Sequence, residues 1–283
     1  MKIAITGATG HLGRLVISRL KSRVPASSIV ALVRTPAKAG GLGVEVRQTD
    51  YSSPATLDAG LKGMDTLLLI SSSEVGHRAA QHQNVIDAAL NNGVKWIVYT
   101  SLLHADTSHM ASLASEHIGT EAALKRSKIA YTLLRNGWYT ENYTASVPAA
   151  VSGGAFLGSA GEGKISSAAR ADYADAAVAV LTGQGHEGKT YELAGDTAYT
   201  LSDLAAEISR QTGKTIPYRN MPESEYAEVL QSFGLPEAVA KAYANFDTGA
   251  SANALFDDSR TLSSLIGHPT TPLSSSVAEA LKQ

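Results

Sequence analysis

The stretch Lys2-Ile3-Ala4-Ile5-Thr6-Gly7-Ala8-Thr9-Gly10-His11-Leu12-Gly13 decides how the rest of the chain is read. Ile3 to Thr6 is a short apolar, β-branched run with the pattern of a buried strand. Three glycines follow at three-residue spacing. Leu12, Leu15, Val16 and Leu20 then recur as they do on one face of a helix. Strand, glycine turn and helix in that order form the context a dinucleotide fingerprint requires. Gly7 permits the tight turn, Gly10 lets the backbone approach a pyrophosphate, and Gly13 allows helix and strand to pack closely. The helix start offers N–H groups and a positive dipole end to phosphate. The spacing is Gly-x-x-Gly-x-x-Gly, and glycines also mark ordinary turns, so the weight rests on the context. Thr6, Gly7, Ala8, Thr9, Gly10, His11, Leu12 and Gly13 are accordingly candidate cofactor residues.

Working outward, Ser28 to Val33 is a second strand, with Arg34 at its C-terminal end. About twenty residues past such a glycine turn, an Asp or Glu binds the ribose hydroxyls of NAD. An Arg suits the 2′-phosphate of NADP instead, through charge-assisted hydrogen bonds in which Lys38 is near enough to share. The other reading is a solvated Arg after a strand. Val44 to Gln48 is a third strand ending in Asp50-Tyr51. Asp50 is either an adenine contact with Tyr51 packed nearby, or a turn acid before the Ser53-Pro54 helix start. Thr66 to Ile70 is a continuous apolar run, as in a central parallel strand. Ser71-Ser72-Ser73 follows it, at the edge where open α/β sheets place ligands, and is either a cofactor contact or a plain polar loop.

A helix from about His77 to Asn91 closes at Gly93. Lys95 to Thr100 is the next strand, ending in Thr100-Ser101. Glu116 to Glu121 lies on a helix running to about Ser127, and Ala130 to Leu134 is a further strand. Strand and helix alternate through this half, which is the doubly wound parallel pattern. A boundary falls near 147. Residues 1–147 form the nucleotide-binding domain and 148–283 a smaller mixed α/β lobe, with a strand or helix of the latter free to return to the former. In that lobe helices are expected over Arg170 to Leu181, Leu201 to Thr212, Pro222 to Phe233, Glu237 to Tyr243 and Ser274 to Lys282. Strands are expected over Lys189 to Leu193 and Thr215 to Tyr218.

The net charge of −2 supplies no general attraction to nucleic acid or an anionic membrane. With no cysteine, disulfides, thiolate catalysis and zinc–thiolate sites are excluded. No histidine group, His104 with His109 included, shows a convincing metal-ligand set. No apolar window reaches membrane-spanning length and no signal segment is evident, so the expected address is the cytoplasm. A homodimer stays open.

Several motifs carry a specific resemblance. Gly7 to Gly13, Val33-Arg34, Leu134-Arg135-Asn136-Gly137-Trp138-Tyr139-Thr140-Glu141-Asn142 and Ala169-Arg170-Ala171-Asp172 resemble the NmrA-like branch of the atypical short-chain dehydrogenases. Ile70 to Gly76, Ser101 to Ser108 and Leu265 to Thr270 are similar to the bacterial quinone-reducing members of that branch. The resemblance spans nearly the whole chain. It implies a Rossmann doubly wound parallel sheet with a small C-terminal substrate lobe, and an NADPH-dependent, flavin-free quinone reductase. It implies that the nicotinamide lies in an interdomain cleft, and it puts Asn136, Gly137, Trp138, Tyr139, Thr140, Glu141 and Arg170 near the cofactor.

Ordinary short-chain dehydrogenases carry a Tyr-x-x-x-Lys pair in which Lys lowers the Tyr pKa. Here the helix after Ser101 carries His117-Ile118-Gly119-Thr120-Glu121, and no such pair follows. Alcohol–ketone chemistry is thereby disfavoured. Hydride addition to a quinone gives a hydroquinone anion, a much weaker base than an alkoxide, so holding the ring against the nicotinamide is the main task. Trp138, Tyr139 and Tyr143 either form a flat apolar slot for it or are packing residues. His117, Tyr139 and Asn142 are the candidate catalytic residues. Glu121, one turn after His117, either orients it as a proton donor or makes a structural pair with it. Two further readings stand beside the quinone reductase. One is a reductase of another conjugated acceptor such as a triphenylmethane dye, and the other a non-catalytic NADP(H)-binding redox sensor.

Overall fold

The computed structural model describes residues 1–108 and 110–282, so His109 lies outside the described residues. Strands β1 (Ile3–Ile5), β2 (Ile29–Val33), β3 (Glu45–Gln48), β4 (Thr66–Leu69), β5 (Trp96–Leu102) and β6 (Ala130–Asn136) alternate with helices α1 (His11–Leu20), α2 (Pro54–Leu61), α3 (Arg78–Asn91) and α4 (Ala111–Ser127), except that a short 3-10 segment, Pro36–Ala39, joins β2 to β3. The chain continues through α5 (Thr140–Thr144), α6 (Val147–Gly153), β7 (Phe156–Gly158), α7 (Arg170–Thr182) and β8 (Thr190–Leu193). It then runs through α8 (Leu201–Thr212), β9 (Tyr218–Asn220), α9 (Glu223–Ser232), α10 (Glu237–Ser251), α11 (Thr261–Ile266) and α12 (Leu273–Ala280).

Seven strands form one parallel sheet in the order β3-β2-β1-β4-β5-β6-β8. Every residue of β1, β2, β4 and β5 is buried, as helices on both faces of a parallel sheet require. This is the Rossmann order, extended by one strand at the β6 edge. β1 sits between β2 and β4, so the strand order reverses there. The crevice beyond the carboxyl ends of β1 and β4 is where such sheets bind ligands.

The chain divides into two compact units. The first comprises Met1–Asp106, Ser112–Asn136 and Arg170–Leu193, and the second Thr107–Ala111, Gly137–Ala169 and Ala194–Gln283. A single cut at 147 does not describe this division. α7 packs along α1, where Arg19 pairs with Asp175, and β8 pairs with β6 in the register Leu133 with Thr190. Both elements bury their apolar faces in the sheet unit, which is why they belong to it.

In the second unit β7 and β9 form a parallel pair, Phe156 opposite Tyr218. The strand expected over Thr215 to Tyr218 starts instead at Tyr218, because Pro217 has no N–H to give to a ladder. α10 runs to Ser251 rather than ending at Tyr243. Gly249 within it is buried so tightly that a Cβ would lie 2.7 Å from Met110 Cγ, and this packing overrides the weak helix propensity of Gly and Asn. α8 begins with a complete capping box between Thr200 and Asp203.

Candidate functional site

The glycine turn has the shape its sequence implies. Gly7 takes φ +59°, in the left-handed region, and is exposed. A Cβ on Gly13 would lie 2.4 Å from the Gly7 carbonyl oxygen and 2.8 Å from Ala8 Cα, so only glycine lets α1 start this close to β1. α1 has no side-chain N-cap and no acidic residue in its first turn, leaving its leading N–H groups for an external anion. These features fit a dinucleotide pyrophosphate. Gly10 and His11 are exposed along the turn and Thr9 is half-buried, whereas Ala8 and Leu12 are buried beneath it. Thr6 is wholly buried. Its hydroxyl donates to Leu68 O at 3.1 Å and accepts from Ile70 N–H at 2.9 Å, which ties the ends of β1 and β4 together.

Arg34 follows β2 with its side chain 69% exposed, and Nη1 donates to Glu74 Oε1 at 2.7 Å. Lys38 is exposed in the turn beyond. Asp50 Oδ1 accepts the Ser52 N–H at 2.8 Å, as a turn acid does, and the Tyr51 hydroxyl donates to Ile70 O at 2.7 Å. Burial pushes the Tyr51 phenol well above its ordinary pKa.

The loop after β4 is held residue by residue. The Ser71 N–H donates to Thr100 Oγ1 at 2.9 Å and the Ser72 N–H to His82 Nε2 at 3.0 Å. Because His82 Nε2 accepts, its Nδ1 carries the proton and donates to Thr120 Oγ1 at 2.9 Å, which passes its own to Glu116 O. Arg78 Nε donates to Ser72 O, and Glu116 accepts the Gly76 N–H at 2.8 Å. Ser73 is exposed at the loop's crest. Burial, with Arg78 nearby, pushes the His82 pKa down to about 3, so this brace is built on a neutral ring. Nothing in local spacing announces His82 or Gln81. Both act across the sheet edge from within α3.

His117 requires a correction. It is buried, its Nδ1 is hydrogen-bonded to the Tyr99 hydroxyl at 2.7 Å, and burial pushes its pKa down to about 3. That takes it out of the range a proton donor at neutral pH needs. Glu121 does not orient it. Glu121 accepts Ser101 Oγ at 2.6 Å and both Nε and Nη2 of Arg135, at 2.9 and 2.8 Å. A buried guanidinium demands a carboxylate far more strongly than a neutral imidazole does, so tertiary pairing displaces the one-turn pairing. Arg135 also reaches Glu192 and Asp106. Asn136 ends β6, and its Oδ1 is buried with no hydrogen-bond partner among the described residues. Arg170, half-buried, opens α7 in this same unit.

In the second unit, Gly137 to Tyr139 lead into α5, whose first turn carries Thr140, Glu141 and Asn142. Tyr139 bridges Ala168, and the Thr140 N–H donates to Ala168 O at 2.9 Å. The hydroxyls of Thr140, Ser167 and Tyr199 form a buried chain with links of 2.8 and 2.6 Å. Trp138, Tyr139, Glu141 and Asn142 are half-buried. The Trp138 ring lies 5.4 Å from Phe246 and 6.5 Å from Tyr143 between centroids. Tyr143 itself is a packing residue, 7% exposed, with its hydroxyl donating to Asp247 Oδ1 at 3.1 Å. Burial pushes the Asp247 carboxyl up to about 6 although Ser159 N–H and Tyr143 both donate to it. Neither Phe246 nor Asp247 carries a local sequence signal of its place.

Among the described residues, no group of histidines and acids is arranged to hold a metal ion, and no helix is long and apolar enough to cross a membrane.

Known proteins share this architecture. The chain is 61% identical over 279 residues to quinone oxidoreductase 2 of Escherichia coli, covering 98% of this chain and 97% of that one. The solved structure of an NADPH-dependent quinone oxidoreductase from Escherichia coli, complexed with NADPH, matches with a TM-score of 0.96 at 60% identity over 99% of each chain. The Citrobacter triphenylmethane reductase complexed with NADP(H) matches with a TM-score of 0.95 at 38% identity, over 99% of this chain and 100% of that one. Residues 7–184, from the first glycine of the turn to just past α7, match the model of a family described as NAD(P)H-binding. The glycine cradle on β1 and this match over more than half the chain make the protein a member of that NAD(P)H-binding family.

Proposed function

We propose that this chain is an NADPH-dependent reductase that passes a hydride to a quinone without a flavin. The observation that carries the proposal is the 61% identity, across nearly the full length of both chains, with a quinone oxidoreductase. The glycine cradle and Arg34 supply the physical support. Backbone N–H groups at the start of α1 hold the pyrophosphate, and the Arg34 guanidinium takes the 2′-phosphate. Ser71 to Ser73, on a loop whose backbone is fixed by Thr100 and His82, border the ribose together with Thr100 and Ser101 of β5. Asn136 Oδ1 is a buried acceptor that would take a donor from the bound cofactor.

Bound NADPH supplies the hydride. The chain's own residues orient and shield the reactants. Trp138 offers an aromatic face, braced by Phe246, for a flat ring, and Tyr139 and Asn142 are the polar groups proposed to meet the acceptor oxygens. A hydroquinone anion needs only a weak acid, and with His117 locked neutral against Tyr99 the proton comes from water.

NADPH consumption by the purified protein, with benzoquinone and naphthoquinone acceptors and no added flavin, tests this reading. Saturable turnover above the enzyme-free rate, with NADPH preferred over NADH, is expected. Tight NADPH binding with no turnover would overturn it in favour of a redox sensor. The likeness to the Citrobacter triphenylmethane reductase favours one second reading, hydride transfer to a cationic dye, and faster turnover of such dyes than of quinones would select it.

A further inference from the structure

Arg34 does not face solvent alone. Its Nη1 donates to Glu74 Oε1 at 2.7 Å, and Glu74 comes from the loop after β4, two strands away from β2 in the sheet. The carboxylate is anchored from behind. Glu74 Oε2 accepts Gln81 Nε2 at 2.7 Å, and the Glu74 N–H donates to Ser72 Oγ at 3.1 Å. Gln81 is buried, whereas the ion pair lies open, 69% and 42% exposed. An anchored anion thus sits against the end of a long, exposed cation, held through Nη1 of its guanidinium.

We propose that Glu74 sets the margin between phosphorylated and unphosphorylated dinucleotides by competing with the 2′-phosphate for Arg34. The proposal rests on the reading of Arg34 as the 2′-phosphate residue. A 2′-phosphate carries close to two negative charges at neutral pH. On reaching Arg34 it either displaces a carboxylate already seated there or shares the guanidinium with it at the cost of like-charge repulsion. Both routes weaken phosphate binding. A ligand ending in a 2′-hydroxyl meets no such repulsion, and Glu74 is an acceptor for it of the type that NAD-binding sheets place at this corner. Glu74 therefore narrows a discrimination that Arg34 alone makes wider.

The test is calorimetric titration of the full-length protein and its Glu74→Gln, Glu74→Ala and Arg34→Ala variants with 2′-phospho-ADP-ribose and ADP-ribose. Glu74→Gln and Glu74→Ala should bind the phosphorylated ligand about three- to fivefold tighter, the range of one exposed ion pair, and ADP-ribose no tighter than the parent does. The gain should shrink as salt is added and the charges are screened. Arg34→Ala should lose affinity for the phosphorylated ligand alone. If that loss is seen but neither Glu74 variant tightens phosphorylated binding, competition by Glu74 is overturned and the Arg34 assignment stands. Equal loss of both ligands in Arg34→Ala would overturn the Arg34 assignment, and the competition with it.

Discussion

Arg135 and Glu121 meet through two parallel hydrogen bonds, Nε to Oε1 at 2.9 Å and Nη2 to Oε2 at 2.8 Å, with both residues buried. This pair joins the end of β6 to the middle of α4, and Ser101 Oγ completes it from β5. Removing one member of a buried pair strands the other's charge, at a cost of about 3–5 kcal/mol. Arg135 keeps Glu192 and Asp106, so Glu121→Gln should cost nearer the lower figure, about 3 kcal/mol. Urea unfolding measures it. A loss below about 0.5 kcal/mol would show that the two outer carboxylates suffice.

The glycine cradle gives a sharper steric expectation. In Gly13→Ala the new methyl meets the Gly7 carbonyl and Ala8 Cα, both backbone, so α1 must move away from β1. Overpacking of this kind costs about 1–3 kcal/mol. Thermal unfolding should fall accordingly, and NADPH titration by nucleotide fluorescence should show at least a tenfold weaker complex, roughly 1.4 kcal/mol. Native-like affinity would mean that the pyrophosphate does not depend on this approach.

His82 and His117 predict acid sensitivity. Each has a folded pKa pushed down to about 3 from an ordinary 6.5, so between those values the unfolded chain binds the proton and the folded chain does not. Their contribution is complete above about pH 6.5 and drains away as the pH falls toward 3, by about 1.4 kcal/mol per pH unit for each histidine. His117→Gln should therefore flatten the fall in unfolding free energy between about pH 6 and 4 relative to the parent protein. A parallel curve would refute the buried-neutral assignment. The same substitution should leave no missing limb in the pH–rate profile near neutrality, because His117 does not titrate there.

Asp247 works in the opposite sense. Its folded pKa, raised to about 6 from 3.8, means that the folded protein holds the proton more tightly than the unfolded one. Its contribution is greatest at low pH and is lost as the pH rises through 6. In Asp247→Asn this opposing trend disappears, so unfolding free energy should climb more steeply from about pH 4 to 6.5 than in the parent protein. An unchanged slope would place the Asp247 titration elsewhere.

What could be read from the chain alone follows a physical divide. The glycine turn was legible because strand, turn and helix are contiguous and each residue acts on its immediate neighbours. The alternation up to β6 was legible for the same reason, since buried parallel strands announce themselves as apolar runs. Arg34 was singled out as a candidate by its distance from the turn. Its ion pair with Glu74 was not legible, because it depends on β4 lying two places from β2 in the sheet. His117 and Glu121 share a helix face, and spacing made them look like a pair. The deciding partner, Arg135, enters from a strand that only the fold brings near. Likewise α7 and β8 fall within 148–283, from which a strand or helix was free to return, and packing on α1 and pairing with β6 assign both to the first unit.

That return has a consequence for biosynthesis. The β6 edge stays open until Thr190–Leu193 has been made, and α1 lacks its α7 neighbour until Arg170–Thr182 has. A chain growing from the ribosome therefore carries an exposed parallel strand edge while some fifty intervening residues emerge. Completion of the nucleotide-binding unit waits on a segment made only after Gly137–Ala169 of the other one. Neither unit corresponds to a contiguous fragment, so no single truncation releases either of them intact.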